Sequence, residues 1–201
     1  MNKQQEITKQ TRQNLVEAFW QLYRMKRLEK ITIKEITDKA GYNRGTFYEY
    51  FTDIYAILEH VEQELLDKLQ HVMMLPPYGL DGEDLSRPKA ALATTFKPLI
   101  DLFHTHGDYF TVLLGDYGDP SFLTKIKNNF KPFLRDQFSG NFDENAEFEL
   151  DYTLEYTLSA MIGILSHWFS QAEKPPLETL FRLIQELTNN GVNRKVLGIR
   201  D

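Results

Sequence analysis

Cysteine is absent from the 201 residues of the chain, which excludes disulfide bonds, thiolate catalysis and cysteine-based zinc sites. The sequence also has no uninterrupted apolar run of about 18 residues, and this argues against a membrane-spanning helix. Residues 1–6 are polar and lack the apolar segment that a secretory signal requires. We therefore expect a cytoplasmic protein that has no membrane partner.

Motifs for catalysis and metal binding are missing as well. The sequence contains no Gly-rich phosphate loop, no His-Glu-x-x-His motif and no Ser/His/Asp arrangement. His104 and His106 are two residues apart, so on a helix their side chains point to different sides and make a poor metal pair. We therefore predict no catalytic residue, no metal site, no cofactor and no enzyme activity.

Positive charge is scarce overall but concentrated at one end of the chain. The net charge is −6, yet residues 1–50 hold ten Lys/Arg against six Asp/Glu, a charge of +4. The other 151 residues hold 13 Lys/Arg against 23 Asp/Glu, a charge of −10. A basic head on an acidic body is expected when only the head contacts a polyanion. Chance clustering of solvated charges is the alternative, and charge alone does not separate the two.

Strand signals are few, and apolar residues recur at three- and four-residue intervals along most of the chain. This periodicity predicts an all-α fold of about nine helices, with a three-helix head over residues 1–52 and a helical-bundle body over residues 53–201. Pro98 and Pro132 are expected to bend or shorten their helices. The predicted helices cover residues 6–26, 33–40, 44–50, 54–75, 88–106, 109–114, 121–138, 145–171 and 177–190.

The most informative local signals lie between residues 31 and 51. Thr32 and Glu35 have the spacing of a capping box at the start of a short helix. Gly41 falls where that helix ends and a left-handed backbone is needed. Asn43 is then a good N-cap for a second short helix. Two short helices joined by a tight glycine turn predict a helix-turn-helix, although a structural bundle also uses this arrangement.

The second short helix has an apolar side and a polar side. Phe47 and Phe51 are four residues apart and are expected to face the core, as Ile33, Ile36 and Ala40 do on the first helix. Gly45 leaves a gap where another backbone can approach. The side chains left on the outside suit phosphates and base edges, although Tyr48 or Tyr50 taken singly suits a structural role equally well. These outward residues are Asn43, Arg44, Thr46, Tyr48 and Tyr50.

Residues 9–66 resemble the DNA-binding head of the TetR (tetracycline-repressor) family of bacterial transcription regulators. The family's inward Ile, Ala-Gly pair, short polar stretch and two aromatic pairs correspond here to Ile36, Ala40-Gly41, Asn43-Arg44-Gly45, Phe47-Tyr48 and Tyr50-Phe51. Residues 43–48 are similar to a subgroup that includes regulators related to the activator of dihydroxyacetone kinase. The match covers a little under a third of the chain, and residues 75–201 show only the family's usual helical character.

The resemblance implies that the head binds double-stranded DNA. Thr32 and Tyr48 are then expected to contact phosphates, and Arg44 to contact either a guanine edge or a phosphate. Ile54 stands at or near the position where family members usually carry a phosphate-contacting lysine. Either Lys34, Lys39 and Thr32 compensate for this missing contact, or the affinity for DNA is lower. The full set of expected DNA-binding residues is Thr32, Lys34, Asn43, Arg44, Gly45, Thr46, Tyr48 and Tyr50.

The body is expected to provide a dimer interface and, by the resemblance, a pocket for a small-molecule effector. Apolar and small residues of the last two helices predict a four-helix bundle across a two-fold axis, at Ser159, Ile162, Gly163, Ser166, Leu180 and Ile184. Aromatic residues suggest an apolar pocket lined by Phe103, Phe110, Tyr117, Phe130, Tyr152 and Tyr156. Plain core packing is the alternative for both sets.

We expect a transcriptional regulator, most simply a repressor that occupies a palindromic operator as a homodimer and is released by an effector. One alternative is a protein-interaction module whose body binds a partner protein instead of a small ligand. Another is a helical enzyme or ligand carrier, but no nucleophile or base points to a reaction. Steep salt dependence and sequence selectivity on DNA distinguish the regulator from both.

Overall fold

The computed structural model describes residues 3–74, 88–115, 118–138 and 147–190. Over these residues the chain is helical and contains no strand, as the all-α prediction required. A 3-10 turn at Leu28–Lys30 joins the first two of eight α-helices. The helices are α1 (Lys3–Tyr23), α2 (Ile33–Ala40), α3 (Arg44–Tyr50), α4 (Ile54–Met74), α5 (Pro88–Leu113), α6 (Pro120–Phe138), α7 (Glu147–Ser170) and α8 (Leu177–Asn190).

The described residues form two compact units, which divide within α4 between Asp67 and Lys68. The first unit, the head, contains α1, α2, α3 and most of α4. Its core is built from one apolar stripe of α1 and the inner faces of α2, α3 and α4. The most completely buried of these side chains are Leu15, Phe19, Tyr23, Ile36, Phe47 and Ile57.

The second unit, the body, contains the end of α4 together with α5, α6, α7 and α8. Its centre is a cluster of phenylalanine rings from α5, α7 and α8. Phe103 contacts Phe110, Phe169 and Phe181, with ring centroids 4.8, 5.5 and 6.2 Å apart. Offset and edge-to-face pairs at these distances add to the stabilisation that burial alone provides.

Helices α6 and α7 are also joined by a ladder of ion pairs on their outer flank. Lys127 of α6 lies 2.7 Å from Glu155 of α7, and Lys131 lies 3.0 Å from Asp151 and 3.4 Å from Glu155. Arg135 completes the ladder with contacts of 2.9 Å to Asp151 and 3.0 Å to Glu147. Because residues four apart share one helix face, the cations of α6 meet the acids of α7 in register.

The region around His106 agrees with the predicted break. Residues 88–106 and 109–114 were expected to be separate helices, and α5 (Pro88–Leu113) consists of two helical segments that meet at a kink, with non-helical backbone angles at His106 (φ −118°, ψ 17°). Glycine, at position 107, follows the kink and has a low helix propensity. Burial, followed by the charge of Lys68, lowers the pKa of His106. Pro98 and Pro132 lie inside α5 and α6, and neither ends its helix.

None of the described helices combines the length and the apolar character needed to cross a membrane.

Candidate nucleic-acid interface

The start of α2 is fixed by a reciprocal set of hydrogen bonds around Glu35. The Glu35 backbone N–H donates to Thr32 Oγ1 at 3.3 Å, and Glu35 Oε2 accepts from the Thr32 backbone N–H at 3.0 Å and from its hydroxyl at 2.9 Å. The predicted capping box is therefore confirmed. Thr32 already donates its hydroxyl proton within the protein, which bears on its expected contact with a phosphate.

A lysine outside the capping box reinforces it. Lys26 Nζ lies 2.6 Å from Glu35 Oε1 and ties the end of the α1 region to the start of α2. The hydrogen bond from Lys26, followed by those from the Thr32 hydroxyl and backbone, lowers the pKa of Glu35. Glu35 is thus held in its charged form, and its negative charge is balanced inside the head.

The turn between α2 and α3 has the geometry that its sequence predicted. Gly41 has φ 77° and ψ 27°, in the left-handed region, and it is the one described residue with positive φ. The Tyr42 backbone N–H donates to the Thr37 carbonyl at 2.9 Å. Asn43 Oδ1 accepts from the Thr46 backbone N–H at 2.9 Å and caps α3. These contacts fix the direction in which α3 leaves the turn.

Helix α3 has one buried side and one exposed side. Phe47 and Phe51 are buried, with ring centroids 5.8 Å apart, as predicted. Tyr48 is 58% exposed, although its ring meets the edge of Phe47. The remaining predicted residues divide into two groups: Asn43, Arg44 and Gly45 are exposed, whereas Thr46 and Tyr50 are half-buried.

Three exposed cations of the head are available to an anionic partner. Within the part of the chain that the structure describes, Lys34, Lys39 and Arg44 make no hydrogen bond or ion pair. The α6 cations of the ladder, by contrast, are all neutralised by carboxylates of α7. These three cations of the head are therefore unpaired among the described residues, whereas the three α6 cations of the ladder are neutralised. Unpaired surface cations attract polyanions.

The first turn of α4 carries no cation. Asp53 Oδ1 accepts from the Tyr55 and Ala56 backbone N–H groups at 2.9 and 2.8 Å, as the predicted N-cap requires. Ile54 is half-buried and Tyr55 is exposed. The start of α4 is thus closed by a carboxylate, and no side chain of its first turn offers a charge to a phosphate.

Two contacts that sequence spacing did not reveal tie α1 to the rest of the head. Asn14 Nδ2 donates to the Tyr42 hydroxyl at 2.9 Å, across 28 residues of sequence. On another side of α1, the guanidinium of Arg12 lies 5.5 Å from the centroid of the Phe51 ring. Both contacts join residues that are far apart in the sequence, so no local motif announces them.

Comparison with known proteins decides the family. Residues 16–61 match the family model described as "Bacterial regulatory proteins, tetR family". Residues 92–190 match a second model, TetR_C_8, described as "Transcriptional regulator C-terminal region". The chain belongs to the TetR family. Its class is accordingly that of a DNA-binding transcriptional regulator, in a family of regulators and not of enzymes.

Similar individual proteins agree with this assignment. The "Uncharacterized HTH-type transcriptional regulator YxbF" of Bacillus subtilis (strain 168) is 25% identical over 122 residues, which are 61% of this chain and 28% of that protein. The chain thus matches little more than a quarter of that relative's length.

Solved structures share the fold of this TetR-family chain. A TetR transcriptional regulator from Streptococcus agalactiae 2603V has a TM-score of 0.62 at 21% identity, covering 92% of this chain and 96% of that one. The "Dihydroxyacetone kinase operon activator DhaS" has a TM-score of 0.59 at 16% identity, covering 91% of this chain and 96% of its own. The predicted similarity to regulators of that type therefore holds for the fold.

Only some of the residues that were predicted to line a pocket lie in the interior of the body. Phe103 and Phe110 lie together in the central ring cluster, and Phe130 is buried on α6. Tyr152 and Tyr156 are 62% and 66% exposed, so they do not line an interior pocket within one chain. The reason is the helical period, which turns Leu150, Leu154 and Leu158 of α7 inward and its tyrosines outward. Tyr117 lies outside the described residues.

The predicted dimer residues also divide. On α7, Ser159 and Gly163 are exposed, and Ile162 and Ser166 are half-buried. Leu180 and Ile184 of α8 are only 6% and 3% exposed, because they belong to the apolar stripe with which α8 packs onto its own subunit. These two residues are therefore not part of an exposed interface, and that part of the prediction is wrong.

Among the described residues, no group of three or more His, Asp or Glu side chains is arranged to hold a metal ion.

Proposed function

We propose that this protein is a repressor that binds a palindromic operator in bacterial DNA as a homodimer, and that a small-molecule effector releases it. The observation that carries the proposal is the exposed side of α3. There Arg44 and Tyr48 project from a capped helix, and Arg44 has no partner among the described residues. A helix of this kind enters the major groove in helix-turn-helix proteins.

Arg44 is the residue we propose for sequence recognition. Its guanidinium can donate two parallel hydrogen bonds to the O6 and N7 atoms of guanine, a contact that discriminates by about 1–3 kcal/mol. Glu49, also exposed on α3, is of the type that accepts from cytosine. Gly45 leaves the approach open, because its Cβ is absent and only Asn43 Oδ1 lies near.

Phosphate contacts are proposed for the residues around α3. Lys34 supplies a free charge, and Tyr48 supplies an exposed hydroxyl. Asn43 uses its Oδ1 as the cap of α3 and retains its amide N–H donors for an anion. Thr32, Thr46 and Tyr50 complete the proposed set, with Thr32 the weakest member because Glu35 already takes its hydroxyl proton.

The dimer is proposed to form through the exposed face of α7. Its first half carries large exposed rings. The ring centroids of Phe148 and Tyr152 are 4.4 Å apart, and Tyr156 lies one turn further along the helix. Its second half carries small, exposed residues, namely Ser159, Ala160 and Gly163. With the two-fold axis perpendicular to α7, the two copies of the helix run antiparallel, and the rings of one copy then meet the small residues of the other. Such a dimer reads half-sites about 34–36 Å apart.

Effector release is proposed for the body, with residues 1–52 as the DNA-binding domain and residues 53–201 as the effector and dimerisation domain. The cluster of Phe103 and Phe110 is the apolar environment that an effector would enter. An effector that binds the DNA-free form more tightly lowers operator occupancy by shifting the population. We place the protein in the cytoplasm, where operator DNA is found, and assign it no enzyme activity.

Selection from a pool of random duplexes tests the proposal. Purified protein is mixed with the pool at near-physiological salt, and the retained duplexes are sequenced. We expect an inverted repeat with half-sites about one helical turn apart. The Arg44→Ala variant should lose the enrichment, whereas Arg24→Ala, a cation outside α2 and α3, should keep it. Retention without any sequence preference by the wild-type protein would contradict the proposal.

A second function is favoured by one observation, the exposed aromatic side of α7. Phe148, Tyr152 and Tyr156 form an apolar surface that a partner protein can also cover. In that case the body carries a signal from the partner and binds no small ligand. A chain that stays monomeric at micromolar concentration and selects no DNA sequence supports this alternative, because the homodimer then has no part in the function.

A further inference from the structure

Three side chains of the head form a directed chain of hydrogen bonds that ends at the turn between α2 and α3. Gln10 Nε2 donates to Asn14 Oδ1 at 2.8 Å. Asn14 Nδ2 then donates to the Tyr42 hydroxyl at 2.9 Å. Gln10 and Asn14 lie one turn apart on α1, and Tyr42 stands between Gly41 and the cap of α3.

The donor-to-acceptor order of these hydrogen bonds makes the Tyr42 hydroxyl oxygen an acceptor. Gln10 occupies the amide oxygen of Asn14 with an N–H donor, so the amide nitrogen of Asn14 is the group that faces Tyr42. The Tyr42 oxygen is therefore an acceptor in this contact, and its own proton points elsewhere. Within the part of the chain that the structure describes, no acceptor receives that proton. Tyr42 is half-buried, so the residue is neither enclosed in the core nor fully exposed.

An oriented O–H donor without an acceptor matches a partner that only accepts. A phosphate oxygen of DNA is such a group, whereas base edges present donors as well as acceptors. Tyr42 also lies two residues before Arg44, whose unpaired charge attracts the same anion. Hydroxyl groups of tyrosine are among the common donors to phosphates in protein–DNA complexes.

We propose that Tyr42 donates a hydrogen bond to a DNA phosphate and that Asn14, held by Gln10, positions it. The inference rests on the proposed function, since it adds a backbone contact to the same interface. It makes α1 part of the DNA-binding apparatus through a positioning residue. Because phosphate contacts carry no base information, Tyr42 contributes to affinity for any duplex and not to sequence preference.

Removal of the hydroxyl tests the contact. The dissociation constants of the wild-type protein and of Tyr42→Phe are measured by fluorescence anisotropy, on a random-sequence 30-bp duplex and on a selected duplex. We expect Tyr42→Phe to weaken binding about tenfold on both, since a hydrogen bond to a charged group is lost. The salt slope should stay unchanged because no cation is removed, whereas Lys34→Ala should flatten it by about 0.9.

Reversal of the hydrogen-bond direction tests the positioning role. Asn14→Asp offers only acceptors, so the Tyr42 proton turns toward the carboxylate and is withdrawn from DNA. In this background, we expect Tyr42→Phe to have no further effect on DNA affinity, although it costs about tenfold in the wild-type background. An equal tenfold cost in both backgrounds would show that Asn14 does not orient the Tyr42 hydroxyl, and would overturn the positioning role; no cost in either background would overturn the phosphate contact itself.

A control separates this inference from the proposed function. Arg44→Ala is measured on the same two duplexes. If Arg44→Ala abolishes preference for the selected duplex while Tyr42→Phe leaves both affinities unchanged, the regulator proposal stands and the Tyr42 contact is wrong. If the wild-type protein shows no preference but Tyr42→Phe weakens its binding to the random duplex, the phosphate contact stands and the operator proposal fails. Thermal unfolding of each variant identifies any loss of folded protein.

Discussion

At the residue scale, the geometry of the helix-turn-helix depends on a backbone conformation that L-residues rarely adopt. Gly41 has φ 77°, and a Cβ added there would meet no atom within 4 Å. The cost of a side chain at this position is therefore a backbone cost and not a steric clash.

Gly41→Ala is predicted to lower the free energy of unfolding by about 1 kcal/mol, because alanine disfavours the left-handed region. Gly41→Asn is the matched control and should cost less, since asparagine tolerates this region better. Chemical denaturation followed by circular dichroism measures both. Equal losses for the two variants would contradict the backbone explanation.

Glu35 is predicted to make the head sensitive to acid. Its pKa is lowered in the folded state, mainly by Lys26, so the folded state binds fewer protons than the unfolded state as the pH falls. The stability that Glu35 contributes is complete above its unfolded pKa of about 4.3 and is lost as the pH falls through the lowered value. Glu35→Gln should therefore have a lower melting temperature at pH 7, and the difference should vanish in acid. A difference in melting temperature between Glu35→Gln and the wild-type protein that stays constant from pH 7 to pH 3 would contradict this prediction.

Much of this residue-scale detail follows from the sequence alone. The capping box of Thr32 and Glu35, the glycine turn and the Asn43 cap each depend on residues at most three positions apart, and all were confirmed. The contacts of Lys26 with Glu35 and of Asn14 with Tyr42 join residues nine and 28 positions apart. They depend on how the helices pack, so residue spacing did not predict them.

At the element scale, the ion-pair ladder controls how α6 and α7 are held together. Asp151 contacts both Lys131 and Arg135, and the hydrogen bonds from these two cations lower its pKa. Lys131 has its pKa raised, first of all by the hydrogen bond to Asp151. The shifts on the two sides of the pair thus agree that the charged forms stabilise each other.

Asp151→Asn is predicted to lower the melting temperature at low salt, because it removes the carboxylate shared by two cations. Glu149→Gln removes the same charge from an exposed acid of α7 that has no partner among the described residues, so it should have little effect. In 1 M salt the difference between the two variants should shrink, since the Debye length falls to about 3 Å. Equal melting temperatures at low salt would show that the ladder is not stabilising.

The helices were predictable because each carries a long periodic stripe with clear end signals. The predicted bounds of α2 and α8 agree with those observed. Helix α1 begins and ends three residues earlier than predicted, and α7 is shorter by two residues at its start and by one at its end. The kink of α5 was predicted as a gap between two helices. The backbone leaves helical geometry at His106, and the sequence contains no signal that separates a kink from a short loop.

At the scale of the whole molecule, the exposed face of α7 is the surface that we propose for the dimer. Gly163 lies on this face, and an added Cβ would meet nothing within 4 Å in the single chain. A larger residue at this position is therefore tolerated by the fold but not by a second copy packed closely against it.

Gly163→Glu is predicted to convert the dimer into a monomer and to weaken operator binding, because one chain contacts one half-site only. Gly163→Ala should remain dimeric and be slightly more stable, since alanine favours a helix by about 1 kcal/mol over glycine. Light scattering after size exclusion gives the mass of each variant. A Gly163→Glu protein with twice the mass of one chain would place the dimer interface elsewhere.

The exposure of the predicted interface residues could be only partly predicted from the sequence. Ser159 and Gly163 lie on the exposed face, but Leu180 and Ile184 are used inside the subunit. An apolar stripe on a helix shows that one side is covered without showing by what. For the same reason the sequence did not distinguish the exposed Tyr152 and Tyr156 from the buried Phe103 and Phe110.

The most direct test of the central claim compares the affinity for a selected palindromic duplex with that for a scrambled duplex of equal length and composition. Both are titrated at physiological salt with wild-type protein and with Arg44→Ala. We expect a ratio of about a thousandfold or more for the wild-type protein, and a ratio at least tenfold smaller for the variant. A wild-type ratio near one, unchanged by Arg44→Ala, would contradict sequence recognition by α3.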